Sequence, residues 1–278
     1  MKKNILRLSV SVLVFLAVSL AAVAQDLVIL HTNDTHSQID VQKSGEYAGL
    51  GGVERRYNLF QEVISKYGRE IVLILDAGDY NQGSPYFTEY SGDLEVSLMN
   101  ALGYDVTTLG NHEFDNGIDE LARRLSMAEY QTVCCNYSFR GTPLARYVKP
   151  YTVIVKGDKT IGIIGATTDL ERVSDKGITA GIKQLDAVKS INKYARKLAR
   201  KCDLIILLSH RGYDTGTASG TDLEIAGKLK NVDLIIGGHS HTFLTEPVEM
   251  EDADGQRIVI VQDGWGGVNV GMMVIKDL

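Results

Sequence analysis

The chain has 278 residues, 44% hydrophobic and 23% charged, with only four prolines, so it is neither a disordered tail nor a membrane bundle. Its length suits one α/β domain with small insertions. A formal net charge of −6 offers no basic face for a nucleic-acid duplex.

The amino terminus reads as an export leader over residues 1–24. Lys2, Lys3 and Arg7 precede an apolar run from Leu8 to Leu20, and Ala22-Val23-Ala24 supplies a small-x-small cleavage pattern. The run is shorter than the roughly 20 residues of a membrane span, so no stable anchor is expected. Cleavage leaves 26 basic against 35 acidic residues, a net charge of −9 for an exported, periplasmic or extracellular chain. Residues 25–278 carry no linker or compositional break and read as one domain.

Short apolar runs alternate with helix-period segments, the pattern of an α/β fold. Strands are expected at 26–31, 71–76, 105–110, 131–135, 152–156, 160–165, 203–209, 232–237, 257–262 and 268–275. Helices are marked by Val53/Tyr57/Phe60/Ile64, Leu94/Leu98/Leu102, Ile118/Leu121/Leu125 and Leu185/Val188/Ile191/Tyr194/Leu198. Lys156-Gly157-Asp158-Lys159 and Ala253-Asp254-Gly255-Gln256 read as hairpin turns, which makes the sheets mixed. Cys134 and Cys135 are adjacent, so at most one could reach Cys202, and all three sit in apolar surroundings as small hydrophobes.

Five strands end in polar residues. The runs lead into Asn33-Asp34-Thr35-His36, Asp76-Ala77-Gly78-Asp79, Gly110-Asn111-His112, Ser209-His210 and Gly237-Gly238-His239-Ser240-His241. Carboxyl ends of strands are where open α/β sheets gather ligand groups. The chain has six histidines, and all but His31 lie at these exits. Scattered structural histidines would not share one location, so the set points to a metal centre. Asp34-x-His36 and His239-x-His241 place paired donors on one side of an extended segment or tight turn. Carboxylate, amide and imidazole donors without thiolate suit zinc, manganese or iron, and there are more of them than one ion can use. Two ions sharing a carboxylate would absorb them all. Glycines at 78, 110, 237 and 238 permit the close approaches of such a cleft.

The ordered blocks Asp34-Thr35-His36, Gly78-Asp79, Gly110-Asn111-His112-Glu113, Ser209-His210 and Gly238-His239-Ser240-His241 resemble the calcineurin-like metallophosphoesterases. Leu30-His31-Thr32-Asn33-Asp34-Thr35-His36, Gly51-Gly52, Gln82-Gly83-Ser84, Asn111-His112-Glu113-Phe114-Asp115 and Gln262-Asp263-Gly264-Trp265-Gly266 are similar to the 5′-nucleotidase and UDP-sugar hydrolase branch. The resemblance covers residues 25–278 and implies a four-layer α/β/β/α sandwich of two mixed sheets, with the site at strand carboxyl ends. It implies two divalent ions. Asp34, His36 and His241 would hold one, Asp79 would bridge, and Asn111, His210 and His239 would complete the second. Many members of the branch have Gln or Asn at the position of His241, which leaves the identity and affinity of the ion there open. His112 would act as acid rather than ligand, oriented and kept charged by Asp115, while the two ions generate a hydroxide nucleophile.

Other residues draw plainer expectations. Glu113 serves the local turn, and His31 packs structurally. Arg211 and Asn136 are weak candidates for substrate contact, Arg211 against the reading of a solvated surface charge. The implied substrate is a phosphate ester, most naturally a nucleotide. The branch's second domain, which carries base-stacking aromatics and phosphate-clamping arginines, has no counterpart in residues 25–278. That leaves a nucleotidase working with a separately encoded substrate domain or as a dimer, a stand-alone phosphatase or cyclic-nucleotide phosphodiesterase, or a non-catalytic metal-binding scaffold. His112 and Asp115 together weigh against the scaffold.

Overall fold

A computed structural model describes residues 26–174, 177–214 and 220–276, so the expected leader over 1–24 lies outside the described residues. In chain order, β1 (Leu27–Thr32), α1 (Val53–Tyr67), β2 (Val72–Asp76), α2 (Pro85–Tyr90), α3 (Asp93–Leu102), β3 (Val106–Thr108), α4 (Gly117–Leu125) and β4 (Gln131–Val133) form the first half. The short β5 (Tyr137–Ser138) and β6 (Val148–Lys149) follow, then the hairpin of β7 (Tyr151–Lys156) and β8 (Lys159–Thr167). The rest comprises α5 (Leu170–Val173), β9 (Lys183–Gln184), α6 (Ala187–Leu198), β10 (Leu204–His210), α7 (Asp222–Ala226), β11 (Leu234–Gly237), β12 (Val248–Glu251), β13 (Arg257–Val261) and β14 (Gly271–Ile275).

One six-stranded sheet has the order β14-β1-β2-β3-β4-β6, the other β12-β13-β11-β10-β8-β7, and β5 pairs with β9. Each is parallel except at its margins, where β14, β12 and β7 run antiparallel. Both expected hairpin turns are present, with Lys156 opposite Lys159 and Glu251 opposite Arg257.

The two-residue alternation of strands decides the layering. Leu27 and Ile29 of β1 face the space between the sheets, where Leu204, Ile206 and Leu208 of β10 meet them. The intervening Val28 and Leu30 pack outward on Phe60 and Val63 of α1 and Val96 and Met99 of α3. Ile205 and Leu207 pack outward on Ile191, Ala195 and Leu198 of α6. The result is a layered α/β/β/α sandwich whose central strands, buried on both faces, read as continuous apolar runs.

The differences from the sequence expectations have local causes. The strand expected at 105–110 ends at Thr108, because the Gly110 N–H donates to the Glu113 carboxylate at 2.6 Å instead of to a neighbouring strand. The strand expected at 131–135 ends at Val133, because the Cys135 N–H crosses to Gly165 O of the other sheet at 2.7 Å. Leu185 lies outside the helix it was expected to begin. Asp186 caps α6 by accepting from the Lys189 N–H at 2.8 Å, and Leu185 is left exposed. The short elements α2, α5, α7, β5, β6, β9 and β12 have no counterpart among the expected elements. Cys134 and Cys135 are buried, Cys202 is half-buried, and all three are free thiols. No helix among the described residues is long and apolar enough to cross a membrane.

Candidate metal centre

Because β1, β2 and β3 are parallel neighbours in one sheet, and β10 and β11 in the other, their carboxyl ends converge at one edge of the sandwich. Asp34 and His36 follow β1, Asp79 follows β2, Asn111 follows β3, His210 ends β10, and His239 and His241 follow β11. The structure brings all seven together. Asp34, His36 and His241 form one group of donors that could hold a metal ion, and Asp79, His210 and His239 form another, with the donor atoms of each group within 4.8 Å of one another. Cross-distances tie the groups into one cluster. His210 Nε2 lies 2.9 Å from Asp79 Oδ2 and 3.8 Å from Asp34 Oδ1, and His36 Nε2 lies 4.0 Å from Asp79 Oδ2.

The backbone is bent to achieve this. Asp34, His36, Asp79, His239 and His241 all have φ between 48° and 73°, a left-handed conformation that costs non-glycine residues free energy. Glycine makes room: a Cβ on Gly238 would lie 2.8 Å from His210 Nδ1 and 3.0 Å from Asp34 Oδ2.

Surrounding groups aim the donors. His210 Nδ1 donates to Ala77 O at 2.7 Å, which leaves Nε2 facing the carboxylates. Asp34 accepts from Asn33 Nδ2 at 2.6 Å and from the His239 N–H at 2.9 Å. Asp79 Oδ1 accepts from the His112 N–H at 2.8 Å. Glu113 is fully buried and accepts from the N–H groups of Asp79, Tyr80, Asn81 and Gly110 at 2.6–3.3 Å. Burial and the nearby Asp79 charge push its proton affinity up, yet four donors fill its four lone-pair positions and leave no place for a proton. It is the clamp that shapes the Asp79 loop.

Two observations indicate that the cluster fits a cation. Asn111 Oδ1 is a buried polar atom without a hydrogen-bond partner, and His210 Nε2, also buried, faces only the Asp79 and Asp34 carboxylates at 2.9 and 3.8 Å. The electrostatics agree. Burial pulls His210 down, but Asp79 and Asp34 outweigh it and push its proton affinity up to about 10, while His210 holds Asp79 low in spite of burial, so without an ion a proton shared with the carboxylates fills the place. Burial lowers His36, and burial with the neighbouring His210 lowers His239 to about 4, so both imidazoles present neutral lone pairs at pH 7.

His112 Nδ1 lies 2.8 Å from Asp115 Oδ2, and that hydrogen bond raises the imidazole above its ordinary range against the opposing effect of burial. His112 shares a cavity of about 450 Å³ with His36, Asp79, Asn111, His239 and His241. A larger opening of about 750 Å³ at the opposite strand ends is lined by Leu204, Leu234, Val259 and Met273, and neither metal-donor group lies in it.

The two weak candidates are placed differently. Asn136 is fully buried, and its amide donates to Thr167 O at 2.8 Å and accepts from Thr167 N at 2.9 Å, which pins the end of β4 to the end of β8. It does not line the cavity. Arg211 donates to Gly220 O and Thr167 O at 2.6 and 2.9 Å and lines a side cavity of about 200 Å³ beside His239. His31 is buried, 2.5 Å from the Asp263 carboxylate, and lies against Gly271, where any Cβ would overlap its ring. Asn33 and Trp265 were not singled out from the sequence as site residues. Asn33 sits beside Asp34 in its block, whereas Trp265 reaches the cavity only through the fold.

The family model for calcineurin-like phosphoesterases matches residues 27–243. The chain belongs to that family. Among relatives, human 5′-nucleotidase is 34% identical over 92% of this chain and 47% of its own length. A snake venom 5′-nucleotidase from Gloydius brevicauda is 36% identical over 88% and 44%. Of solved structures, the 5′-nucleotidase precursor from Thermus thermophilus superposes with a TM-score of 0.79 at 35% identity, covering 90% of this phosphoesterase and 51% of that chain. The NAD nucleotidase of Haemophilus influenzae gives 0.78 at 27% identity, covering 90% and 47%. The chain spans about half the length of these relatives.

Proposed function

We propose that this phosphoesterase is an exported, dinuclear metal-dependent hydrolase of nucleotide phosphate esters. One observation carries the reading: two donor groups within reach of each other's carboxylates share a cavity with an imidazole whose proton affinity a hydrogen-bonded carboxylate raises. Asp34, His36 and His241 would hold one ion, His210, His239 and Asn111 the other, with Asp79 between them. Divalent ions held there supply Lewis acidity toward phosphoryl oxygens and make water available as a nucleophile at neutral pH.

The protein's own groups do the rest. Asp115 accepts from His112 Nδ1 and raises the ring's proton affinity, so Nε2 would face the cavity as a donor beside the phosphoryl group. As the ester bond breaks, His112 Nε2 is the acid that protonates the leaving oxygen. Glu113 and Ala77 O keep Asp79 and His210 in place, so little reorganisation accompanies the reaction. The nucleotide assignment is supported by the relatives, 5′-nucleotidases and an NAD nucleotidase by name.

The test is phosphate release by the purified chain, stripped of metal and reloaded separately with Mn²⁺ or Zn²⁺. The substrates are AMP, UDP-glucose, a 2′,3′-cyclic nucleotide and an aryl phosphate. Metal-dependent turnover of AMP is expected. Turnover of the aryl or cyclic ester alone would move the activity to a general phosphatase or a phosphodiesterase. Metal uptake without turnover of any ester would leave a metal-binding scaffold, or a chain that needs a second polypeptide for substrate recognition.

A further inference from the structure

The net negative charge of the chain conceals one basic face. From Ala187 to Cys202 the sequence carries Lys189, Lys193, Arg196, Lys197, Arg200 and Lys201 and no Asp or Glu. These six are among the 26 basic residues of 25–278, so the remaining 20 face 35 acidic ones, a net charge of −15. The cations recur at i, i+4, i+7, i+8, i+11 and i+12, the period of a helix, and α6 with the turn after it exposes all six. The opposite side of α6, Ile191, Ala195 and Leu198, packs on the outer face of the second sheet.

Little on the surface neutralises this stripe. Among the described residues, the one salt bridge made by any of the six joins Lys189 to Asp186 at 3.7 Å. Lys193 lies over the Tyr194 ring at 5.0 Å, and Lys197 and Lys201 lie over the Tyr151 ring at 5.0 and 5.9 Å. Asn192 donates to Lys228 O and accepts from Lys230 N, both at 2.9 Å, which sets the exposed Lys228 beside the stripe. The stripe also leads away from the donor cavity. Gln184, just before α6, lines the side cavity beside His239, whereas Asp203, just after Lys201, lines the opening at the opposite strand ends. The basic face is therefore a side wall of the sandwich, and a surface lying against it leaves the cavity mouth free.

The chemistry of the face selects its partner. Interfaces between proteins are depleted of lysine and centred on buried aromatic or apolar anchors, whereas four of these six are lysines on exposed stems. A plane of anionic headgroups needs no pocket and attracts each basic residue separately. The acidic remainder of the chain is screened beyond a Debye length of about 8 Å. We propose that the basic face of α6 docks this chain reversibly, side-on, on the anionic phospholipid headgroups of a bilayer. Docking of this kind needs no membrane-spanning helix and does not depend on the reaction.

The test uses the chain as exported, freed of residues 1–24 so that their apolar run cannot insert. It is sedimented with vesicles of phosphatidylcholine alone, or with about one third phosphatidylglycerol. Binding to the anionic vesicles is expected at about 0.05 M salt, with release at about 0.5 M and none to the neutral ones. Lys193→Gln, Lys197→Gln, Arg200→Gln and Lys201→Gln together should lower the partition by roughly 10²- to 10³-fold, about fivefold per charge. The melting temperature and phosphate release in solution should stay unchanged. Replacing the three lysines by arginine should preserve binding, and so should neutralising Lys43, Arg55, Lys66 and Arg146, which are exposed elsewhere. Failure to bind anionic vesicles, equal binding to neutral ones, or an equal loss from that distant set overturns the proposal. Binding to polyglutamate or duplex DNA but not to vesicles also overturns it and makes the face a site for another polyanion.

Discussion

The two donor groups are built to different standards. Asp79 and His210 are buried and held from behind by Glu113, Thr107 through Asp76, and Ala77 O, with His210 inside a paired strand opposite Thr167. In the other group, Asp34 is equally buried, but the His241 side chain is 41% exposed, and its ring nitrogen meets only His36 Nε2 at 2.9 Å and Asp34 Oδ1 at 3.4 Å. Both groups close on the turn after β11, the first with the half-buried His239 and the second with the more exposed His241. Preorganisation therefore differs across a few ångströms, and the two positions should differ in affinity and exchange rate if each takes an ion.

Asp79→Ala gives the largest expected effect, because it removes the carboxylate proposed to bridge the two halves. Activity should fall by at least about 10³-fold, with fewer than one ion retained per chain by elemental analysis. Full retention of both ions would show that the halves are independent and would remove the bridging role. Next in size is His112→Ala. It should lower kcat by about 10²- to 10⁴-fold with metal content unchanged. Unaltered turnover would take His112 out of the chemistry and leave the cluster as a binding site alone.

His241→Ala set against His210→Ala tests the asymmetry directly. The exposed histidine should cost one ion, at least tenfold in affinity by chelator competition, with thermal stability nearly intact. The buried histidine should cost an ion and also lower the melting temperature, since it leaves a cavity and two facing carboxylates without their countercharge. Equal effects from the two variants would mean that the difference in burial has no functional weight.

The same contrast explains what could be read from the sequence. The donors were legible because they are chemically rare, six histidines in all, and each block follows an apolar run that a strand needs. The central strands were legible for a related reason, burial on both faces. The short elements were not: α2 has six residues and none of them buried, so no periodicity marks it. Glu113 was legible as a turn residue but not as the acceptor of four N–H groups, which depends on where β2 and β3 lie side by side. Only the closing of β14 beside β1 brings Trp265 to the cavity. Asn136 looks available in the sequence, but its amide is taken up by the Thr167 backbone, whereas Arg211 gives two N–H groups to backbone carbonyls and still lines a cavity beside His239.

The smallest expected effect concerns how firmly the deeper half is anchored. Asp76 ends β2, is fully buried, and accepts from Thr32 Oγ1 at 2.6 Å, Thr107 Oγ1 at 3.1 Å and the Gly78 N–H at 2.9 Å, so it sets the start of the loop that carries Asp79. Burial pushes its carboxyl up to about 6 in spite of those donors. With the folded value above the unfolded one, the protonated acid favours folding below about pH 4, and that contribution is lost as pH rises through about 6. The conversion of such a shift sets an upper bound of about 3 kcal/mol. Asp76→Asn keeps the shape and removes the titration. Its melting temperature relative to the wild type should therefore climb between pH 4 and pH 7 and stay level above that. A constant difference across the range would mean that Asp76 does not titrate there, and that the loop is anchored by an ionised carboxylate whose charge the fold already accommodates.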